Sequence, residues 1–388
     1  MKNIVILGTG IAGMPLIRQT MRNVVLPSSN YRLTVISPNS DFVWPLAMPR
    51  GVLPGQWRDD KLIYPLAPIF EEFPAEKFEF IQEAASEVDP DRNIVAVGER
   101  EIQYHTLIVA TGTRTKDGFP WKIVGTSAET ERLLHKTQKQ IEEASSVAVI
   151  GGGVTGAETA GELGYEYARH DKKEVYLIYN GDLPLAPDMV PRVRKQTVIE
   201  LERLNVKLIP STKVIETTQR ASGQTKLVLQ NNGGSTKTLT VDLAIPATGM
   251  VPNSSFMPSS MLDKHGYIHQ NGYLRTPSHS NIFVVGDVGS LDPSRAFFAD
   301  PQIVWLVKHL PRYFSHNGEL PAEPYRREGA FVRNVEALTV GKDKGVGTFG
   351  TWKMPSLVVW WVKGRHMGTD YAGDLAKGKR TMMVTFEK

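Results

Sequence analysis

Two glycine-rich turns constrain this chain more than any other feature. The first follows a short apolar run, Ile4-Val5-Ile6-Leu7, and reads Gly8-x-Gly10-x-x-Gly13, with residues 11–20 able to continue as a helix. Such a run is what a buried parallel strand shows. Strand, glycine turn and helix in that order are the setting in which this spacing receives a dinucleotide pyrophosphate. Gly8 permits the tight turn, Gly10 lets backbone approach the phosphates, and Gly13 lets helix and strand pack closely. The free N–H groups at the helix start meet the negative charge. A second copy, SVAVIGGGVTGAETAGE at residues 146–162, carries Gly151, Gly153 and Gly156 at the same spacing. One such turn is a weak signal. Two in tandem predict two nucleotide-binding units.

Composition narrows the class. At 388 residues the chain exceeds one ordinary core, so two or three domains are expected. The net charge of +4, from 45 basic and 41 acidic residues, comes without a clustered basic run, so nucleic acid is not an expected partner. There is no cysteine, which excludes disulfides, thiolate metal sites and a CxxC redox pair. His265 and His269 flank Gly266 in a turn and strand, and a structural role is expected there; no metal is expected. The chain opens on a strand, which leaves no room for a signal peptide, and Met1-Lys2 is not a myristoylation start. No apolar stretch reaches the ~18 residues of a spanning helix. A soluble cytoplasmic protein is the expectation.

Along the chain, the second strand, residues 32–36, ends in Ser37-Pro38 where an acid usually grips a ribose; Ser37 can still bond a hydroxyl. Arg50, in the stretch FVWPLAMPR, reads either as part of a packed loop or as a cation near phosphate. Residues 78–97 alternate around Asp89-Pro90-Asp91-Arg92-Asn93 and predict a hairpin or meander. Strands ending Ala110-Thr111-Gly112 and Ala247-Thr248-Gly249 repeat a pattern suited to touching a ligand. Residues 113–120 form a plausible domain crossing. Glu158 is placed in the first turn of its helix, as a dipole-matched surface acid or, preferably, a group facing a nicotinamide. After the strand 174–179, Tyr179-Asn180 supplies neither the acid that favours NADH nor the arginine that favours NADPH. Residues 227–229 and 238–241 predict a hairpin, and residues 190–204 a helix. A late buried strand ends in Gly286-Asp287. Asp300-Pro301 is expected to cap a helix through residue 310, with Gln302 at its start. The stretch WKMPSLVVWWVK at residues 352–363 reads first as core or dimer interface, and second as a route for an apolar substrate or a shallow membrane contact.

Two GxGxxG turns, two Ala-Thr-Gly strand ends and a late Gly-Asp together resemble the two-dinucleotide-binding-domain flavoprotein reductases, over about residues 1–315. WPLAMPRG (44–51), SMLDKHGYIHQNGYLR (260–275) and VKGRHMGTDYAG (362–373) look most like the apoptosis-inducing-factor-like branch, the ferroptosis-suppressor type of NAD(P)H:quinone reductase. The resemblance implies an α/β fold of two Rossmann-like units, the second inserted in the first, with a small α+β C-terminal region. It implies FAD on residues 1–115 and 250–315, NADH or NADPH on residues 116–249, and a C-terminal region at 316–388. It assigns Gly8, Gly10, Gly13, Ser37, Arg50, Ala85, Thr111, Gly112, Gly286, Asp287 and Gln302 to FAD. Gly151, Gly153, Gly156, Glu158, Tyr179, Asn180 and Gly249 fall to NAD(P)H, with Glu158 and Gln302 beside the reacting rings. The implied reaction carries hydride from NAD(P)H through flavin to an organic acceptor, foremost a quinone, with the cofactor supplying the chemistry. Two rivals are a biosynthetic flavoenzyme acting on one metabolite and a nucleotide-sensing protein that binds nucleic acid or a partner. Peripheral membrane contact or a homodimer through the C-terminal region completes the expectations.

Overall fold

Five parallel strands carry the first glycine turn in this computed structural model, which describes residues 1–292, 296–316, 318–326 and 335–387. Their order is Ile282–Val284, Thr106–Val109, Lys2–Leu7, Tyr31–Ile36, Phe78–Ile81. The central strand is buried on both faces, which is why its sequence is a continuous apolar run. Ile4 and Ile6 enter one core while Val5 and Leu7 enter another, as the two-residue period of a strand requires. The stretch 78–97 departs from expectation. Phe78–Ile81 leaves the hairpin and joins the parallel sheet as its edge. Ala85–Asp89, Ile94–Val97 and Arg100–Gln103 make the antiparallel meander, turning at Asn93 with φ +56°. Its sequence, Phe-Glu-Phe-Ile, alternates as a hairpin strand does, so periodicity could not separate the two.

The second glycine turn stands on a four-stranded parallel sheet, Lys207–Ile209, Glu174–Ile178, Ser146–Ile150, Leu243–Pro246. Behind it lies the antiparallel set Thr212–Gln219, Thr225–Asn231, Thr236–Val241, whose Leu227, Leu229 and Val241 pack with Ala148 and Ile178. All these strands fall between two strands of the first sheet, so the second unit is inserted in the first. Thr113–Thr115, leaving the first sheet, pairs antiparallel with Met250–Pro252, returning to it. That ribbon joins the two Ala-Thr-Gly ends.

A third, antiparallel sheet of Val335–Val340, Lys344–Phe349 and Trp352–Lys353 precedes the short helices Ser356–Val359 and Ala372–Ala376. The stretch 352–363 is not core. Trp352, Leu357, Trp361 and Val362 are exposed and only Val359 is fully buried: both residues of the strand Trp352–Lys353 face solvent, and the helix Ser356–Val359 buries Val359 alone. The chain end straps the first unit. Glu387 accepts from Arg18, Gln19 and Arg22, and Trp44 Nε1 donates to the Met367 carbonyl at 2.9 Å. Asp300 is a correction: its helix runs Ala296–Ser315, so Asp300 and Pro301 lie inside it. The buried carboxylate accepts from Thr381 Oγ1, Met382 N and Met383 N instead of capping. Among the described residues no helix is long and apolar enough to cross a membrane.

Candidate functional site

The two glycine turns are built alike, atom for atom. A Cβ on Gly13 would lie 2.0 Å from the Gly8 carbonyl oxygen, and one on Gly156 would lie 1.9 Å from that of Gly151. At the head of each turn, a Cβ on Gly8 would meet the Ala110 oxygen at 2.6 Å, and one on Gly151 the Ala247 oxygen at 2.2 Å. The middle glycines differ in kind. Around Gly10 and Gly153, no atom of the described residues other than the glycine and its chain neighbours lies within 4 Å of the Cβ position. Those two positions are open toward a ligand, as backbone approach to a pyrophosphate demands.

Around the first turn, Ser37 at the end of Tyr31–Ile36 is buried and shares a 2.9 Å hydrogen bond with Thr9 inside the turn. Beside it, Asn39 Oδ1 is buried with no partner among the described residues. A buried acceptor left unmatched is costly, and a ligand hydroxyl at this spot would match it. Ala85 is half-buried at the start of the meander, paired with Val97. Thr111 Oγ1 donates to the Asn253 carbonyl at 2.6 Å, and Asn253 N donates to the Gly112 carbonyl at 2.9 Å, which fastens this strand end to the returning chain. Gly286 takes φ +80°, and Asp287 pairs with Lys122 at 2.7 Å, a partner absent from the sequence expectations. Lys122 Nζ also donates to Thr113 Oγ1.

Gln302 is used at both ends. Its Oε1 accepts from Gly286 N at 2.8 Å, and its Nε2 donates to Asp292 Oδ2 at 2.8 Å, which also accepts from Tyr325 OH. It therefore holds the Gly286-Asp287 turn, with one N–H and one oxygen lone pair of its amide left over. Gln302→Leu is expected to weaken FAD retention about tenfold, since it strands a buried N–H at a cost of about 1–3 kcal/mol. The rate of flavin bleaching per loaded molecule should stay within about twofold of wild type. Flavin release during gel filtration together with stopped-flow absorbance separates the two effects.

Around the second turn, the helix is Val154–Glu166 with Gly153 as its cap, so Glu158 is its fifth residue and lies beyond the first turn. Its carboxylate is buried and accepts from Lys363 Nζ at 2.6 Å and Thr339 N at 3.0 Å. Arg50 is the second correction. Its fork grips Glu162, one turn further along, through Nε–Oε2 at 2.9 Å and Nη2–Oε1 at 2.8 Å, so the guanidinium is committed to a carboxylate. Complete burial pushes the Glu162 carboxyl up from its ordinary value, against the pull of Arg50. Tyr179 is buried under the turn: a Cβ on Gly152 would lie 2.5 Å from its Cβ. Asn180 is exposed at the strand end, and Gly249 takes φ +137° with open space around it. Glu162, Lys363 and Lys122 are the residues that sequence reasoning missed. Only their partners in space distinguish them from ordinary charged positions.

Two matched dinucleotide cradles on an inserted pair of Rossmann-like units, without a cysteine, define a flavin- and nicotinamide-dependent oxidoreductase that has no dithiol of its own. The family model described as pyridine nucleotide-disulphide oxidoreductase matches residues 2–302, and the chain belongs to that family, whose cofactors are FAD and NAD(P)H. The chain is 34% identical to oxidoreductase ptaL of Pestalotiopsis fici over 364 residues, covering 92% of this chain and 94% of that protein. It is 28% identical to ferroptosis suppressor protein 1 of Taeniopygia guttata over 290 residues, 72% and 74% of the two chains. The fold is shared with the sulfide:quinone oxidoreductase of Aquifex aeolicus, at TM-score 0.74 and 16% identity over 97% of this chain and 92% of that one. NDH2 of Plasmodium falciparum in complex with NADH matches at TM-score 0.69 and 16% identity, covering 96% and 99%.

Proposed function

We propose that the chain catalyses NAD(P)H + H⁺ + quinone → NAD(P)⁺ + quinol. Two electrons and two protons reach the quinone, one proton arriving with the hydride and one from solvent. Bound FAD would supply the hydride acceptor and the two-electron store. The pair of open glycine cradles in a chain without cysteine carries this reading, because it supplies a donor site and a flavin site but no dithiol exit. The word quinone in the name of the Aquifex aeolicus neighbour supports the acceptor class.

In this reading Gly8, Gly10 and Gly13 hold the flavin pyrophosphate, with Ser37 and Asn39 at the ribose. Gln302 and Lys122 hold Gly286-Asp287 in place. Gly151, Gly153 and Gly156 hold the nicotinamide dinucleotide. Glu158 positions: it anchors Lys363, whose Nζ also donates to the Ala337 carbonyl, and so docks the third sheet onto the helix that follows the second turn.

The test mixes flavin-loaded protein anaerobically with NADH or NADPH and then adds a short-chain quinone, following flavin absorbance. Bleaching by nicotinamide and rapid recovery with quinone is the expected result. Bleaching without recovery would remove quinone and move a single specialised metabolite ahead as acceptor. No bleaching would remove the donor role of the second turn.

A further inference from the structure

We propose that Arg194 makes this enzyme select NADPH by receiving the 2′-phosphate of its adenosine ribose; the inference rests on the NAD(P)H-donor reading above. In a doubly wound unit that ribose lies at the end of the strand following the glycine turn, and an acid there binds the free hydroxyl while an arginine takes the phosphate. The strand here is Glu174–Ile178, parallel to Ser146–Ile150. Its end presents Tyr179, buried, and Asn180, exposed, both uncharged. Neither residue carries a charge that would attract or repel a phosphate; the acids nearby, Asp182 on the following loop and Glu202 on the next helix, are both exposed to water.

The tertiary structure brings the cation. After Asn180 the chain folds back onto the second glycine turn, where Leu185 N donates to the Gly152 carbonyl at 2.6 Å. Leu185 takes φ +67°, a left-handed conformation that a leucine rarely adopts, so this return is imposed by its surroundings. The helix Pro191–Arg203 then lays Arg194 across the same loop. Its Nε donates to the Pro184 carbonyl at 3.0 Å and its Nη2 to the Leu183 carbonyl at 2.8 Å. A Cβ on Gly181 would lie 3.8 Å from that Nη2. Both bonds go to neutral oxygens, and among the described residues Arg194 forms no ion pair. Its positive charge is felt at the strand end, where it opposes the effects of burial and of Glu202 on the Tyr179 hydroxyl. A planar guanidinium with N–H groups to spare suits a phosphate better than a ribose hydroxyl. Asp182, on the loop itself, is exposed, and water screens its opposing charge.

The experiment measures anaerobic flavin bleaching against nucleotide concentration for the holoenzyme and its R194Q and R194K variants, matched for flavin content and melting temperature. Adenosine 2′,5′-bisphosphate serves as a competing probe. Wild type is expected to favour NADPH over NADH by about tenfold or more in second-order rate. R194Q should lose about tenfold with NADPH through apparent affinity, change less than about twofold with NADH, and release the bisphosphate. R194K should recover part of the NADPH preference. An equal loss with both nucleotides in R194Q would mean that Arg194 only pins the loop, and would overturn the proposal. So would a wild-type preference for NADH. Bleaching by neither nucleotide would instead remove the donor reading itself, and this selection with it.

Discussion

Gly156→Ala is expected to produce a protein that keeps its flavin and is reduced by NAD(P)H about 100-fold more slowly. The added Cβ would stand 1.9 Å from the Gly151 carbonyl oxygen and 3.4 Å from Ala247 Cβ. The nearest obstacle is backbone, so helix and strand must separate and the turn must change shape. A displacement of about 1 Å in a positioning element is enough for a loss of that size. The mirror change, Gly13→Ala, meets the Gly8 oxygen at 2.0 Å and should yield protein without flavin. Flavin-to-protein absorbance ratios and stopped-flow bleaching read both effects. If Gly156→Ala lost flavin as readily as Gly13→Ala, the assignment of the two turns to two ligands would be wrong. Gly153→Ala provides a control: among the described residues no atom beyond its chain neighbours lies within 4 Å of its methyl group, so unliganded stability should hold while nucleotide binding weakens.

The second large effect concerns stability. Arg50→Leu would leave Glu162 fully buried without its principal partner, at an expected cost of about 3–5 kcal/mol. Burial raises the folded-state value of Glu162 above its unfolded one, so its contribution is full below the unfolded value and is lost as pH rises through the folded one. Without Arg50 the folded value climbs further. The stability gap between wild type and Arg50→Leu should therefore narrow as pH falls toward the ordinary carboxylate range. The double change Arg50→Leu with Glu162→Leu should recover most of the loss, because no lone charge then remains buried. Denaturant titrations at two or three pH values check this. A gap that does not change with pH would show that the pair is not the origin of the effect.

The backbone of both cradles was legible because it is local. Strand, turn and helix follow within a dozen residues, and the last glycine of each turn, Gly13 or Gly156, is demanded by a contact with the first that the spacing itself creates. The Ala-Thr-Gly and Gly-Asp strand ends were legible for the same reason. Limits appeared where the same sequence trace occurs in different elements. Phe78–Ile81 alternates like a hairpin strand, and Asp300-Pro301 looks like a cap although the helix begins at Ala296. Glu158 shows how one boundary shifts a role: with Gly153 as the cap, it moves out of the first turn.

The sequence by itself determined two dinucleotide-binding units in series, their order and the absence of a thiol exit, because periodicity and glycine spacing act over one or two turns of chain. Only the tertiary structure decided what the charged groups do. Arg50 meets Glu162 across 112 residues, Lys122 meets Asp287 across 165, and Lys363 meets Glu158 across 205. Arg194 reaches the loop behind the second strand from the next helix. A charged side chain leaves no periodic mark, and its partner is set by which elements the packed cores bring together. Burial then makes that pairing obligatory, since an ion without its counterion is the most costly thing a core can hold.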